Sequence, residues 1–240
     1  MKENQDYMKL HETLQPLSTE WYIATTVCLS IMAGIILVPF LVNQKQKLII
    51  ANIIGILMLS VSILVHPYLL YIDRWAWNTA LPLHLCTMSG YICGYALITR
   101  NQTAFEFAVF WGVSGGIHSI LTPELLHGID PLLYIEYYVL HGGIVLAAIF
   151  LAVHLKMRVR PRSWLRIFLL SQIFLPFIFL MNWILNSNYM YMSEKPKVDS
   201  PFLIGEWPIY IIFIELFMLV HFWVVYQFFR TWNKKKTASI

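Results

Sequence analysis

The sequence predicts an all-α polytopic membrane protein, a single bundle of seven transmembrane helices with its N-terminus outside and its C-terminus in the cytoplasm. Three observations carry this. Hydrophobic residues make up 58% of the 240 and charged residues only 12%, a balance foreign to soluble domains. The apolar residues fall into seven stretches, each near the roughly 20 residues that a helix needs to cross a hydrocarbon core about 30 Å thick. The basic residues are distributed unequally between the two sets of loops. One side carries Lys45, Lys47, Arg100, Lys156, Arg158, Arg160, Arg162, Arg166, Arg230, Lys234, Lys235 and Lys236, and the other Lys2, Lys9, Arg74, Lys195 and Lys197. The positive-inside bias places the richer side in the cytoplasm.

The elements follow in order. Residues 1–20 form a polar tail holding Glu3, Asp6, Glu12 and Glu20, a mixed-charge stretch unlike the basic leader of a cleaved signal peptide. The transmembrane domain, residues 21–230, contains segments from Trp21 to Val42, Leu48 to Tyr68, Thr79 to Ile98, Ala104 to Thr122, Leu132 to Leu155, Leu165 to Leu185 and Leu203 to Phe229. Short loops join them and leave no room for a soluble domain. Residues 231–240 form a basic cytoplasmic tail. Small residues four apart, Gly90 with Gly94, Gly112 with Gly116 and Gly143 with Ala147, predict close contact among the third, fourth and fifth helices, because packing drives helix association in lipid.

The formal charge of +4 sits in loops beside the bilayer, where it signals topology and meets anionic lipid rather than nucleic acid. Cys28, Cys86 and Cys93 lie within apolar segments and form neither a CxxC pair nor a zinc spacing, so neither a disulfide framework nor a bound metal or other cofactor is expected. The chain reads as a multi-pass protein of the cell membrane.

At 1.5 Å per residue, the depth of each polar side chain can be placed. His84 and Cys86 fall within about 10 Å of the outer end of the third helix, and His141 roughly 14 Å down the fifth. His118 lies near the outer end of the fourth helix, Asn182 late in the sixth, Glu136 and Tyr137 above His141, and Glu206 at the start of the seventh. Five helices thus bring polar groups to the outer half of the membrane, and the inner half reads as almost purely aliphatic and aromatic. Imidazoles and thiols are costly in hydrocarbon and mark functional positions there. His66, before Pro67, reads instead as an interface residue, and His154 and His221 as interface or packing residues.

Cys86 is the candidate nucleophile, and a thiol in lipid needs a base or positive neighbour to become thiolate. His84 is nearest in sequence, but two residues along an ideal helix differ by about 200°, although Pro82 loosens the local backbone. A histidine from another helix is the better base, and His141 matches by depth. His84, His118 or Asn182 then orient the base or bind an oxyanion. Phospholipid esters lie at the headgroup boundary, where a nucleophile about 10 Å below the outer helix end can meet one.

The motifs Leu81-Pro82-Leu83-His84-Leu85-Cys86, Trp111-Gly112 through Gly115-Gly116-Ile117-His118 with Thr122-Pro123, Tyr137-Tyr138-Val139-Leu140-His141-Gly142 and Met181-Asn182 resemble those of the YwaF family of bacterial integral membrane proteins and its eukaryotic relative, transmembrane protein 164. The resemblance runs from the second helix through the seventh. It implies a cysteine-dependent acyltransferase that moves a chain from a phospholipid to a lysophospholipid, with Cys86 as nucleophile and His141 as its partner. With water as acceptor the same chemistry makes a lipase. Two other classes fit the residues. One is a non-enzymatic protein binding a metal or haem through His84, His118 and His141, a reading weakened by the lack of a His-x-x-x-His or Glu-x-x-His pair. The other is a small proton-coupled transporter using Glu136, Glu215 and the histidines, weakened by the lack of an inverted repeat.

Overall fold

A computed structural model describes residues 12–196 and 203–237. The described residues fold into seven long helices: α1 Thr19–Leu37 with a 3₁₀ extension Val38–Leu41, α2 Gln44–Tyr71, α3 Leu85–Thr99, α4 Gln102–Leu121, α5 Pro131–Val153, α6 Ser163–Leu185 and α7 Ile209–Thr237. The first eleven residues of the expected N-terminal tail, with Lys2 and Lys9, lie outside the described residues, as do Lys197 and the last three of the C-terminal tail.

Four helices, α1, α2, α4 and α5, start at capping side chains, which satisfy amides that the first turn leaves open. Ser18 accepts from the Trp21 amide, Asn43 and Gln46 form a reciprocal capping box, Asn101 accepts from the amides of Thr103 and Ala104, and Asp130 accepts from those of Leu132 and Leu133. Among the described residues, six helices are long and apolar enough to cross a membrane. The exception is α3, and here the expected boundary is corrected: the helix begins at Leu85, not Thr79, and has 15 residues, or about 22 Å. Pro82 explains the late start, since its ring fixes its own backbone and turns the preceding residue away from helical angles. Residues 72–84 are instead a series of turns that dips into the bundle before α3 begins.

Helix α5 is the axis of the bundle. Its apolar window is 72% buried, against 17–28% for α1, α2, α6 and α7, whose remaining faces meet lipid. The third, fourth and fifth helices do pack together, and α5 also packs on α1 and α2. A Cβ on Gly112 would lie 2.6 Å from Ile144 Cγ2, and one on Gly116 would lie 2.7 Å from Val145 Cγ2 and 3.0 Å from the His141 carbonyl. The Gly94 contact goes elsewhere: it abuts the Gly55 carbonyl of α2 at 2.9 Å. Helices α6 and α7 pair with each other and meet the rest of the bundle chiefly through α4.

Helix α4 is not uniform. Its middle, Ala108–Gly112, is a π-helical turn between two α-helical halves. Two short strands, β1 Glu12–Thr13 and β2 Glu124–Leu125, pair antiparallel and bring the chain's first described residues onto the loop before α5.

The end bearing the Lys156–Arg166 loop is not the purely apolar region expected. Glu106 is fully buried there and accepts from the Arg160 amide at 3.0 Å and from its guanidinium at 2.8 and 2.9 Å, from Gln102 at 3.1 Å, and from Arg166. The carboxylate clasps the basic loop to α4, a pairing that no residue spacing announces.

Candidate functional site

In the half of the bundle away from this clasp, helices α2 to α7 line a cavity of about 480 Å³, a size typical of ligand sites. Cys86, Ser119, Tyr137, His141, His118 and His84 line it. Glu124, Glu136 and Glu215 do so as well, while no lysine or arginine lines it among the described residues.

Cys86 is the second residue of α3, with His84 as the extended N-cap, whose side chain makes no cap bond. Among the described residues, the amides of Leu85, Cys86 and Thr87 have no hydrogen-bond acceptor; the first bond of the helix runs from Met88 to the His84 carbonyl at 3.0 Å. Open amides and the positive end of the helix dipole therefore lie beside the thiol, donors for an anion formed there on a substrate. Cys86 is half-buried, whereas Cys28 and Cys93 are buried in the core.

Two small residues of α4 face the thiol. A Cβ on Gly115 would lie 3.6 Å from the Cys86 sulfur, and the Ser119 hydroxyl lies 3.6 Å from it in hydrogen-bond contact. Tyr137 holds this turn of α4: its hydroxyl donates to the Ser119 carbonyl at 2.8 Å and accepts from the Glu124 amide at 3.2 Å. The His141 ring packs on the Tyr137 ring at 4.1 Å between centroids.

His141 is 7% exposed, and its Nδ1 lies 2.7 Å from the Tyr137 carbonyl. A carbonyl only accepts, so Nδ1 carries the proton and Nε2 keeps the lone pair of a base. Nε2 has no hydrogen-bond partner among the described residues. Cys86 and His141 thus line one cavity without bonding each other, and Ser119 is the group in contact with the sulfur.

The other expected residues take different places. His84 packs against Tyr189 and Tyr191, with ring centroids 5.1 and 5.8 Å away, and its Nδ1 accepts from the Met190 amide at 3.4 Å. Being the N-cap, it does not lie on the ideal helix used to relate it to Cys86. Asn182 is buried and does not line the cavity. Its amide folds the turn after α6 through Tyr189 N at 2.8 Å, the Tyr189 carbonyl at 2.9 Å and Ser187 Oγ at 2.8 Å. Tyr189 in turn donates to the Trp77 carbonyl at 2.7 Å and accepts from the Leu81 amide at 3.0 Å, so Asn182 supports the segment that delivers Cys86.

His118 lies 3.2 Å, Nε2 to Nε2, from His221 of α7, whose Nδ1 donates to the Phe217 carbonyl at 3.1 Å. With that proton placed, His221 Nε2 is the acceptor and His118 the donor when both are neutral. His221 does not itself line the cavity; it packs on and bonds His118, a pairing that only the α4–α7 contact reveals. His66 also lines the cavity and accepts from Trp75 Nε1 at 3.4 Å. Among the described residues, no group of three or more histidine, cysteine, aspartate or glutamate side chains converges as a metal site would require.

Fold and cavity together define a multi-pass helical membrane protein with a chamber whose wall carries Cys86, at a helix N-terminus, and His141. Comparison with curated proteins and with solved structures gives no match. The chain belongs to the TMEM164 family, whose profile matches residues 16–226.

Proposed function

We propose that this protein is a membrane-embedded, cysteine-dependent lipid acyltransferase that moves an acyl chain from a phospholipid to a lysophospholipid. One observation carries the reading: Cys86, in the open first turn of α3, lines the same cavity as His141, whose Nε2 keeps its lone pair. A nucleophile, a base of fixed tautomer and unoccupied amide donors are the parts that acyl transfer needs.

The thiol proton passes to His141 Nε2 through a bridging hydroxyl or water, with Ser119 the hydroxyl at hand. The thiolate sulfur attacks the ester carbonyl, and the oxyanion that develops is met by open amides at the start of α3. Collapse breaks the ester C–O bond, His141 returns the proton to the departing lysolipid oxygen, and a thioester remains on Cys86. A second lysolipid hydroxyl, deprotonated by His141, attacks the thioester and restores the thiol. Among the described residues no lysine or arginine lines the cavity to hold phosphate, so the ester region enters while the headgroup stays outside. On the positive-inside reading the chamber opens toward the outer leaflet.

The test is mass spectrometry of purified protein in lipid nanodiscs, for wild type, Cys86→Ala and His141→Ala. An acyl group on Cys86 with new lysolipid in wild type, and loss of turnover in both variants, is the expected result. Turnover retained by Cys86→Ala sinks the thiol mechanism.

A further inference from the structure

Trp111 stands at the deep end of the chamber. The ring is 2% exposed, lines the cavity, and is fixed by its Nε1 donating to Ser171 Oγ of α6 at 2.7 Å, while Ser171 donates onward to the Ile167 carbonyl at 2.8 Å. Phe174 of α6 packs on it at 5.6 Å between centroids. The indole thus forms a bar from α4 to α6 across the gap between α3 and α6, helices that make no extensive contact.

A second hollow lies just past this bar. Phe107, one turn earlier on α4, packs edge-on against Trp111 at 4.8 Å and lines a groove of about 370 Å³ with Tyr91, Ile92, Tyr95 and Ala104. The groove is open at the surface, where Tyr95 is 51% exposed. Tyr91 and Tyr95 lie five and nine residues beyond Cys86 on α3, or about 8 and 14 Å along the axis. At about 100° per residue Tyr91 and Tyr95 are turned about 140° and 180° from Cys86 around α3, so the groove lies on the far side of that helix. Trp111, which lines the chamber, with Phe107, which lines the groove, packed against it, stands between the two.

We infer that Trp111 is the floor of an acyl-chain chamber and sets the length of chain the protein accepts, with the Tyr91–Phe107 groove as the path that opens when the indole is removed. This rests on the lipid-acyl reading of the cavity, but not on covalent chemistry at Cys86. An indole covers at least about 150 Å², and each methylene about 30 Å², so its truncation makes room for about five methylenes.

Two measurements on the full chain in phosphatidylcholine nanodiscs separate the claims. In the first, intact-protein mass spectrometry reads the acyl group on Cys86 after exposure to phosphatidylcholines of graded chain length. In the second, Cys86→Ala protein is photolabelled with phosphatidylcholines carrying a diazirine at the chain terminus, and the labelled residues are mapped. Trp111→Ala is expected to shift the preferred chain upward by about five methylenes and to bring label onto Tyr91, Tyr95 or Phe107. Trp111→Phe is expected to give a smaller shift in the same direction, and it decides the matter if the alanine variant does not fold. A preferred length and label pattern unchanged by either folded variant overturns the inference. Label that moves with Trp111, together with no adduct on Cys86 in wild type, upholds the chamber and refutes the thioester; a Cys86 adduct indifferent to Trp111 does the reverse.

Discussion

Gly116→Ala is a one-carbon test of how the two halves of the site are held together. The added Cβ would sit 2.7 Å from Val145 Cγ2 and 3.0 Å from the His141 carbonyl oxygen, where ordinary contact needs about 3.5–4.0 Å. Val145 is β-branched and stiff within a helix, and the carbonyl is backbone, so neither yields cheaply. Helices α4 and α5 must part by about 0.5–1 Å, at the turn that carries His141. Overpacking of this kind costs about 1–3 kcal/mol, and a displacement of about 1 Å between reacting groups costs on the order of 100-fold in rate. Gly115→Ala is the internal control, because its Cβ meets the Cys86 sulfur at an ordinary 3.6 Å and nothing closer. The assay pairs thermal unfolding in nanodiscs with the rate of Cys86 acylation. Gly116→Ala should lose both stability and rate, and Gly115→Ala should keep its stability. Equal stability and rate in the two variants would refute the claim that close approach of α4 to α5 sets the geometry.

Three further outcomes follow from the same structure. Glu106→Gln keeps the shape but leaves Arg160 and Arg166 without their counter-charge; because those side chains are 42% and 40% exposed, water softens the loss to about 1–3 kcal/mol, read by thermal unfolding. Tyr137→Phe leaves the Ser119 carbonyl and Glu124 amide without their hydroxyl partner, which should cost about 1–2 kcal/mol and slow acylation of Cys86 by loosening Ser119. Asp130 lies outside the membrane span; burial pushes its carboxyl up, but the Leu133 amide, the Tyr68 hydroxyl, the Leu132 amide and Arg74 together hold it below the ordinary 3.8. A depressed carboxylate contributes stability above its unfolded value and loses it as pH falls through the folded one. Melting temperature should therefore drop in acid below about pH 4, and Asp130→Asn, which keeps the cap but not the charge, should flatten that drop.

Much of the architecture was legible because hydrocarbon imposes a simple demand: long apolar runs and asymmetric cations locate the helices. Depth arithmetic also brought Cys86, His141 and His118 to one level, and the cavity joins all three. What periodicity could not supply was backbone conformation. Leu81-Pro82-Leu83 is as apolar as a helix, so the true start of α3 escaped notice, and with it the placement of Cys86 among open amides. Contacts between distant segments were equally hidden. Ser119 approaches Cys86, His221 meets His118, and Glu106 gathers two arginines only after the helices pack. Asn182 was visible as a buried polar residue, but its partner Tyr189 lies in the following turn, and its duty is to that turn.

The π-helical turn at Ala108–Gly112 gives α4 one residue more than a regular helix would need over the same rise. Each residue of a helix advances the facing direction by about 100°. Upstream of the turn α4 serves assembly, with Glu106 clasping the basic loop; downstream it serves the chamber, with Gly115, His118 and Ser119 on the wall. The two duties require different angular settings, and the surplus residue is the offset between them. A single-codon deletion here would leave both halves helical and every side chain in the chain's repertoire intact, yet turn the downstream half away from Cys86. Function in this bundle is thus separable from composition by one residue of phase.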